Sequence, residues 1–348
     1  MTSTLRAALG SVVVVAALAL VGCTSSDDRD VPPTPASPSP TAPQELTPET
    51  IRTVPSDRVF PGGLAVDPDS LASRAQVQLE AAGDDEQASA AGVIAAQPVA
   101  MWIGDGYDAA QLVSVVTTYL DAAEQQGSTA VFVTYAIPDR DCGNYSAGGL
   151  TAAEYPAWSQ TIADTLSGHD AVVIVEPDSL GMLDRCPQLA EERIPLIRQA
   201  VEGFEAAGVP AYLDGGNSNW VPPRTMAERL RAAGVEHARG FFTNVAGFYP
   251  VDDEREYAER VSALTGGSHF VIDVSRNGRG WKGTWCNPDG VGLGQEPHVA
   301  GGTRGLDALL WVKTPGISDG TCNGGPEAGA WYPSYAEGLV SRRSEKDD

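Results

Sequence analysis

The decapeptide AVVIVEPDSL, residues 171–180, decides the fold class. Its first five residues form a short apolar run rich in β-branched side chains, which suits a strand buried on both faces of a parallel sheet. Charge arrives only where the run ends. Glu176, Pro177 and Asp178 set two carboxylates where strand gives way to loop, the end at which α/β sheets assemble their chemistry. A lone E-P-D would be read as a cap on the following turn. Three other strand-like runs that end in the same style argue for more.

From Pro98 onward, strand-like and helix-like segments alternate, the pattern of an α/β fold with a parallel sheet. Strands are expected at 99–103, 130–135, 171–176, 211–214, 240–244, 270–274 and 308–312. Helices are expected at 108–126, 151–166, 191–207, 224–233 and 252–264, where apolar residues recur at helical spacing and several segments stop at a glycine. Residues 73–86 suggest one further helix on the outside. Right-handed crossovers would curl such a sheet toward a full or partial barrel.

Four strand ends then belong together. The second runs into Tyr135 and, past Arg140, to Asp141 and Cys142; the third ends at Asp178; the fourth ends Leu213-Asp214-Gly215-Gly216-Asn217, with Trp220 close behind; the seventh ends Trp311-Val312-Lys313, with Asp319 across a turn. Carboxylates converging on one rim among Trp102, Tyr135, Trp220, Trp281, Trp285 and Trp311 suit a sugar, since aromatic faces stack on pyranose rings and carboxylates take hydroxyls. Glycoside hydrolysis needs a proton donor and a second carboxylate, and a like charge nearby keeps one acid protonated. A Ca²⁺ or Mg²⁺ site is the competing reading. It ranks lower, because no DxDxDG spacing occurs and the four histidines show no paired ligand spacing. No metal or cofactor is expected.

A net charge of −23 over 348 residues argues against nucleic acid and other polyanionic partners. Arg6 precedes an apolar run at 7–21 of signal-peptide length, which closes in Leu20-Val21-Gly22-Cys23 and so resembles a bacterial lipoprotein box. Of five cysteines, Cys23 alone lies outside the folded region, and a lipid on it would anchor the protein to a membrane. The Pro/Ser/Thr-rich stretch that follows cannot pack and serves as a linker. The expected organisation is a signal peptide over 1–22, a linker over 23–50, a hydrolase domain over 51–343 and a tail over 344–348. The protein is expected to be exported, held on the outer face of the cell membrane or released, and monomeric.

The segments VFVTYAIPDRDCGNYSAGG (131–149) and VVIVEPDSLG (172–181) resemble the two signatures of glycoside hydrolase family 6, the inverting cellulases. The resemblance continues in order through YLDGGNSNW, GFFTNVAGFY, IDVSRNGRG, WCNPDGVGLG, LLWVKTPGISDG and GAWYPSY. It implies a distorted, partly open seven-stranded β/α barrel, similar to a TIM barrel, with the active-site cleft at the carboxyl ends of the strands. It implies Asp178 as general acid, Asp141 as the residue that raises the acid's pKa and helps hold the water, and Asp319 as the carboxylate usually proposed as base. Asp214, Asn217, Lys313, Tyr135, Trp102, Trp220 and Trp285 would bind substrate, Tyr135 favouring a distorted sugar. Inversion would place the acid and base carboxyls about 6.5–9.5 Å apart. The family pairs Cys142 with Cys186 and Cys286 with Cys322, pinning loops above the cleft, in keeping with export.

One departure is Ile317, where many family members carry a substrate-binding Glu; this loosens the hold on one sugar and leaves the preferred β-glucan open. Short connections after the fourth and seventh strands leave little material for a tunnel, so internal cutting of cellulose or a related β-glucan is expected. The alternatives are a surface lipoprotein that binds β-glucan without cutting it, and a hydrolase of another envelope polysaccharide.

Overall fold

In the computed structural model, which describes residues 46–301 and 303–343, apolar strand residues alternate between two packing environments. The strands are β1 (Met101–Gly104), β2 (Ala130–Tyr135), β3 (Ala171–Val175), β4 (Ala211–Asp214), β5 (Gly240–Thr243), β6 (His269–Asp273), β7 (His298–Val299) and β8 (Leu306–Leu310). Val131, Val133, Val172, Ile174, Tyr212, Phe242, Val271, Ala308 and Leu310 share one cluster. Their neighbours Phe132, Val173, Leu213, Phe241, Ile272 and Leu309 belong to a second, larger one that includes the helices. This period of two is what a curved sheet with a filled interior and a helical coat requires.

The sheet order is β1-β2-β3-β4-β5-β6-β8-β7, parallel throughout except for β7, which runs antiparallel on the edge of β8. A parallel bridge between Val99 and Trp311, with the Ala100 N–H donating to the Trp311 carbonyl at 3.0 Å, brings the two ends of the parallel array together. The seven expected strands are present, with ends moved by one or two residues, and the expectation of a seven-stranded sheet is corrected to eight. The two residues of β7 are too few to leave a periodicity.

The helices are α1 (Ser56–Val59), α2 (Leu71–Ala82), α3 (Asp85–Ala95), α4 (Ala109–Gln126), α5 (Tyr155–Leu166), α6 (Ala190–Ala206), α7 (Pro223–Ala232), α8 (Val251–Leu264) and α9 (Pro333–Ser341). The single helix expected over 73–86 is instead α2 and α3, divided at Gly83, whose φ of 81° closes α2 in the left-handed conformation. Asp108 caps α4 with a full capping box. The signal peptide, Cys23, the linker up to residue 45 and the tail lie outside the described residues.

Val59 and Phe60 close the amino end of the barrel, Phe60 stacking on Tyr212 at 6.5 Å. Beside them Asp307, fully buried, accepts hydrogen bonds from Ser56 Oγ (2.7 Å), Tyr212 OH (2.6 Å) and Arg239 Nε and Nη2 (2.8 Å each). Burial disfavours the Asp307 charge, but Arg239 and His269 outweigh it and hold the carboxyl far below its usual range.

Candidate active site

Glu176 and Asp178 follow β3 in strained backbone, with φ of 49° and 69°. They do different work. The Glu176 carboxylate is buried and accepts the N–H groups of Ala136 and Ile137 at 3.0–3.1 Å and the Tyr155 hydroxyl at 3.1 Å. It therefore fastens the exit of β2 to the exit of β3. Asp178 is partly exposed, and no hydrogen bond engages its carboxyl among the described residues. Burial pushes the Asp178 pKa up to about 8, helped by the like charges of Asp214, Asp141 and Asp319 and opposed by Lys313.

At the end of β4 the buried Asp214 carboxylate accepts three backbone N–H groups: Leu180 (2.9 Å), Gly181 (2.7 Å) and Gly216 (2.9 Å). It thus clamps the segment just after Asp178. Arg193 of α6, also buried, reaches the Ser179 carbonyl with Nη1 and the Pro138 and Asp139 carbonyls with Nη2. One guanidinium thereby joins the loop of Asp178 to the loop of Asp141, a positioning role the sequence reading missed.

Asp319 is the opposite case. Its Oδ1 lies 3.1 Å from both Arg276 Nη1 and Lys313 Nζ, and its Oδ2 accepts Arg276 Nη1 at 2.8 Å and the Asn287 N–H at 3.0 Å. Burial favours its neutral form, but the Arg276 and Lys313 charges prevail and hold the carboxyl below the usual range. Arg276, in the SRNG segment, was not singled out in the sequence. An Arg three residues beyond the end of β6, near the buried Asp273, was the available signal. Lys313 is fixed in turn, its N–H donating to Asp273 Oδ2 at 3.0 Å.

Asp141 sits in a tight turn with φ of 58°, where its Oδ2 accepts the Ser146 N–H at 2.8 Å and its Oδ1 accepts Asn144 Nδ2 at 3.4 Å. The Cys142–Cys186 disulfide ties this turn to the chain beyond Asp178, and Cys286–Cys322 ties the loop after β6 to the loop after Asp319. Tyr135 meets Trp102 edge-on at 5.0 Å, with the Arg140 guanidinium 4.7 Å from its ring centre. Burial, then Asp178 and Asp141, raise the Tyr135 pKa well above 10, so the phenol remains protonated.

The aromatics divide. Trp102 is partly exposed, its indole N–H donating to the Val312 carbonyl at 2.7 Å. Trp220 packs against Gly181, where any Cβ would overlap its ring. Asn217 accepts the Asn219 N–H at 3.0 Å. Trp285 is 48% exposed and lies 6.1 Å from Tyr145, which covers Gly320 beside Asp319. Trp281 is 42% exposed. Trp311, grouped with the rim aromatics in the sequence, is instead buried in the outer core, its indole N–H on the Gln295 carbonyl. Ile317 is buried and bridges Trp331.

The family model described as "Glycosyl hydrolases family 6" matches residues 63–343. Endoglucanase A of Cellulomonas fimi is 42% identical over 243 residues, which are 70% of this chain and 54% of that protein. The chain therefore spans about half of that relative. Endoglucanase 1 of Streptomyces halstedii is 36% identical over 290 residues, 80% of this chain and 88% of that protein. Among solved structures, the endoglucanase Cel6 of Mycobacterium tuberculosis, in complex with a thio-linked cello-oligosaccharide, matches with a TM-score of 0.74 and 40% identity over 80% of this chain and 96% of that one. Endoglucanase CEL6B of Humicola insolens shares the fold, with a TM-score of 0.69 at 24% identity over 82% of this chain and 97% of that one. On a curled α/β sheet whose strand ends carry this set of carboxylates, those matches show that the chain belongs to glycosyl hydrolases family 6 and that its barrel is a glycoside hydrolase of the endo-β-1,4-glucanase type.

Proposed function

We propose that the protein hydrolyses internal β-1,4-glucosidic bonds of cellulose or a related β-glucan with inversion at the anomeric carbon. One observation carries the reading: the Asp178 carboxyl is held protonated while Asp319, which acts on it electrostatically, is held ionised. A protonated carboxyl kept beside an ionised one supplies a proton donor and a fixed negative charge in the same cleft. Asp178 gives its proton to the glycosidic oxygen as the bond breaks, and water attacks the opposite face of the sugar. Asp141, with one firm hydrogen bond, keeps acceptor capacity for that water, whereas both Asp319 oxygens are already occupied. Asp319 therefore supplies a fixed negative charge near the cationic transition state, and the water's proton leaves by way of Asp141.

Trp102, Tyr135, Trp220 and Trp285 would offer ring faces to the sugars, with Lys313 and Asn217 meeting hydroxyls. Asp214 acts through the backbone it clamps. Internal cutting is supported by the relatives' names and by the openness of Tyr145 and Trp285 near Asp319, each about half exposed. The test mixes cellohexaose with the full-length protein and follows the anomeric proton by NMR, beside Asp178→Ala. Fresh α-anomer from the wild type alone is expected; fresh β-anomer would overturn inversion.

We also propose that residues 1–22 direct export, that Cys23 carries a lipid and that 23–50 space a monomeric hydrolase domain, 51–343, from the membrane. The two disulfides support an oxidising compartment. Cys23→Ala should move the protein out of the membrane fraction, and unchanged retention there would refute the anchor.

A further inference from the structure

Beyond β5 and β6 stands an aromatic pair that is not among the rings assigned above. Tyr249 and Trp281 stack nearly parallel, with ring centres 5.6 Å apart and planes inclined by 14°. The arrangement is built. The buried Asn244 accepts the Tyr249 N–H at 3.2 Å and donates to its carbonyl at 3.3 Å, while Asn277 Nδ2 donates to the same carbonyl at 3.0 Å. Asn244 itself is anchored on the Asp273 carbonyl at 2.9 Å. Trp281, at 42% exposure, is among the largest apolar surfaces the domain leaves open, and one of its faces is already backed by Tyr249.

The pair is continuous with the site. Trp281 lies 6.3 Å from the Phe248 ring, the Arg276 guanidinium stands 4.6 Å from that ring's centre, and Arg276 holds Asp319. A rigid, half-open aromatic surface at the same edge of the sheet as the carboxylates matches the apolar face of a pyranose, while the surrounding water serves its hydroxyls. We propose that Tyr249 and Trp281 form an accessory subsite for a glucosyl unit of the substrate chain, remote from the cleaved bond. This rests on the β-glucan reading above. Tyr249 sets the orientation of Trp281, and Trp281 carries the sugar. Binding gained at such a distance raises the preference for long chains over short ones.

The test compares cellotetraose with cellohexaose on the full-length protein, as wild type, Trp281→Ala and Trp281→Phe. Binding of cellohexaose is measured separately by calorimetry in the Asp178→Asn background. Trp281→Ala should weaken cellohexaose binding about tenfold and lower the cellohexaose-to-cellotetraose ratio of kcat/KM by a similar factor, with Trp281→Phe restoring part of both. Equal losses on the two substrates would mean that Trp281 acts only by supporting Phe248 and Arg276, and would overturn the subsite. Unchanged cellohexaose binding would overturn it as well. If the wild type neither binds nor cleaves any β-1,4-glucan, the hydrolase reading itself fails; if it cleaves and Trp281→Ala changes nothing, only the subsite fails.

Discussion

Replacing the expected general acid should make the protein more stable while removing its activity. In the fold the Asp178 carboxyl titrates near 8, whereas in the unfolded chain it titrates near its ordinary value of about 3.9. At neutral pH the native state therefore keeps a proton that the unfolded state has lost, and stability falls as pH rises between roughly 4 and 8. From 3.9 to 7, at about 1.36 kcal/mol per pH unit, the penalty is about 4 kcal/mol. Asp178 is partly open to solvent, which screens the interaction and leaves about 2 kcal/mol. Asp178→Asn keeps the shape of the protonated acid and removes the ionisation. Its Tm at pH 7 should exceed that of the wild type by roughly 3 °C for a domain of this size. At pH 4, where the unfolded wild type has regained about half of that proton and the native state keeps all of it, the difference should shrink toward zero. Calorimetry of the full-length protein at the two pH values measures both quantities, and kcat on cellohexaose should fall by roughly 10²- to 10⁴-fold. A variant that is less stable at pH 7, or equally stabilised at both pH values, would refute the argument that burial and like charge hold Asp178 protonated.

Because activity needs the protonated acid, kcat/KM should decline as pH rises through about 8. Asp141→Asn removes one of the like charges and should move that decline toward acid by about one pH unit, read from pH profiles on cellohexaose; an unmoved limb would separate Asp141 from the acid. Asp319→Asn leaves the buried Arg276 and the partly exposed Lys313 without their counter-charge and should cost about 3–5 kcal/mol in chemical denaturation, a loss that Asp141→Asn should not share. At the barrel floor, Asp307 has a depressed pKa, so its contribution is complete above about pH 4 and is lost as pH falls below that. Asp307→Asn should accordingly flatten the acid side of the stability curve while lowering stability at neutral pH.

The strands were legible because buried parallel strands need unbroken apolar runs, and 171–175 or 130–135 can hardly be anything else. The rim carboxylates were legible for a related reason, since charge enters the sequence where each apolar run stops. What the sequence could not carry is how each carboxylate is employed. Glu176, Asp178 and Asp214 look alike in one dimension, but two are absorbed by backbone N–H groups and one is left for solvent and substrate. That partition depends on segments 34 to 40 residues apart arriving side by side. Arg193 and Arg276 were hidden likewise, because their partners are distant carbonyls and a distant Asp. Trp311 misled for the opposite reason: position along a strand gives the edge but not the face, and its ring points into the outer core. The break at Gly83 was missed because α3 is alanine-rich and weakly patterned.

The barrel floor also fixes which way the domain can face. The Leu46 carbonyl lies against Gly208 just ahead of β4, the Ile51 carbonyl accepts Arg239 Nη1 at 3.0 Å just ahead of β5, and the Pro61 carbonyl accepts the Thr129 hydroxyl at 3.0 Å just ahead of β2. The leading segment thus skirts the sheet at the pole opposite the carboxylates. A domain grafted, captured or immobilised through its amino end would stand with its catalytic pole outward, unobstructed toward an insoluble fibre.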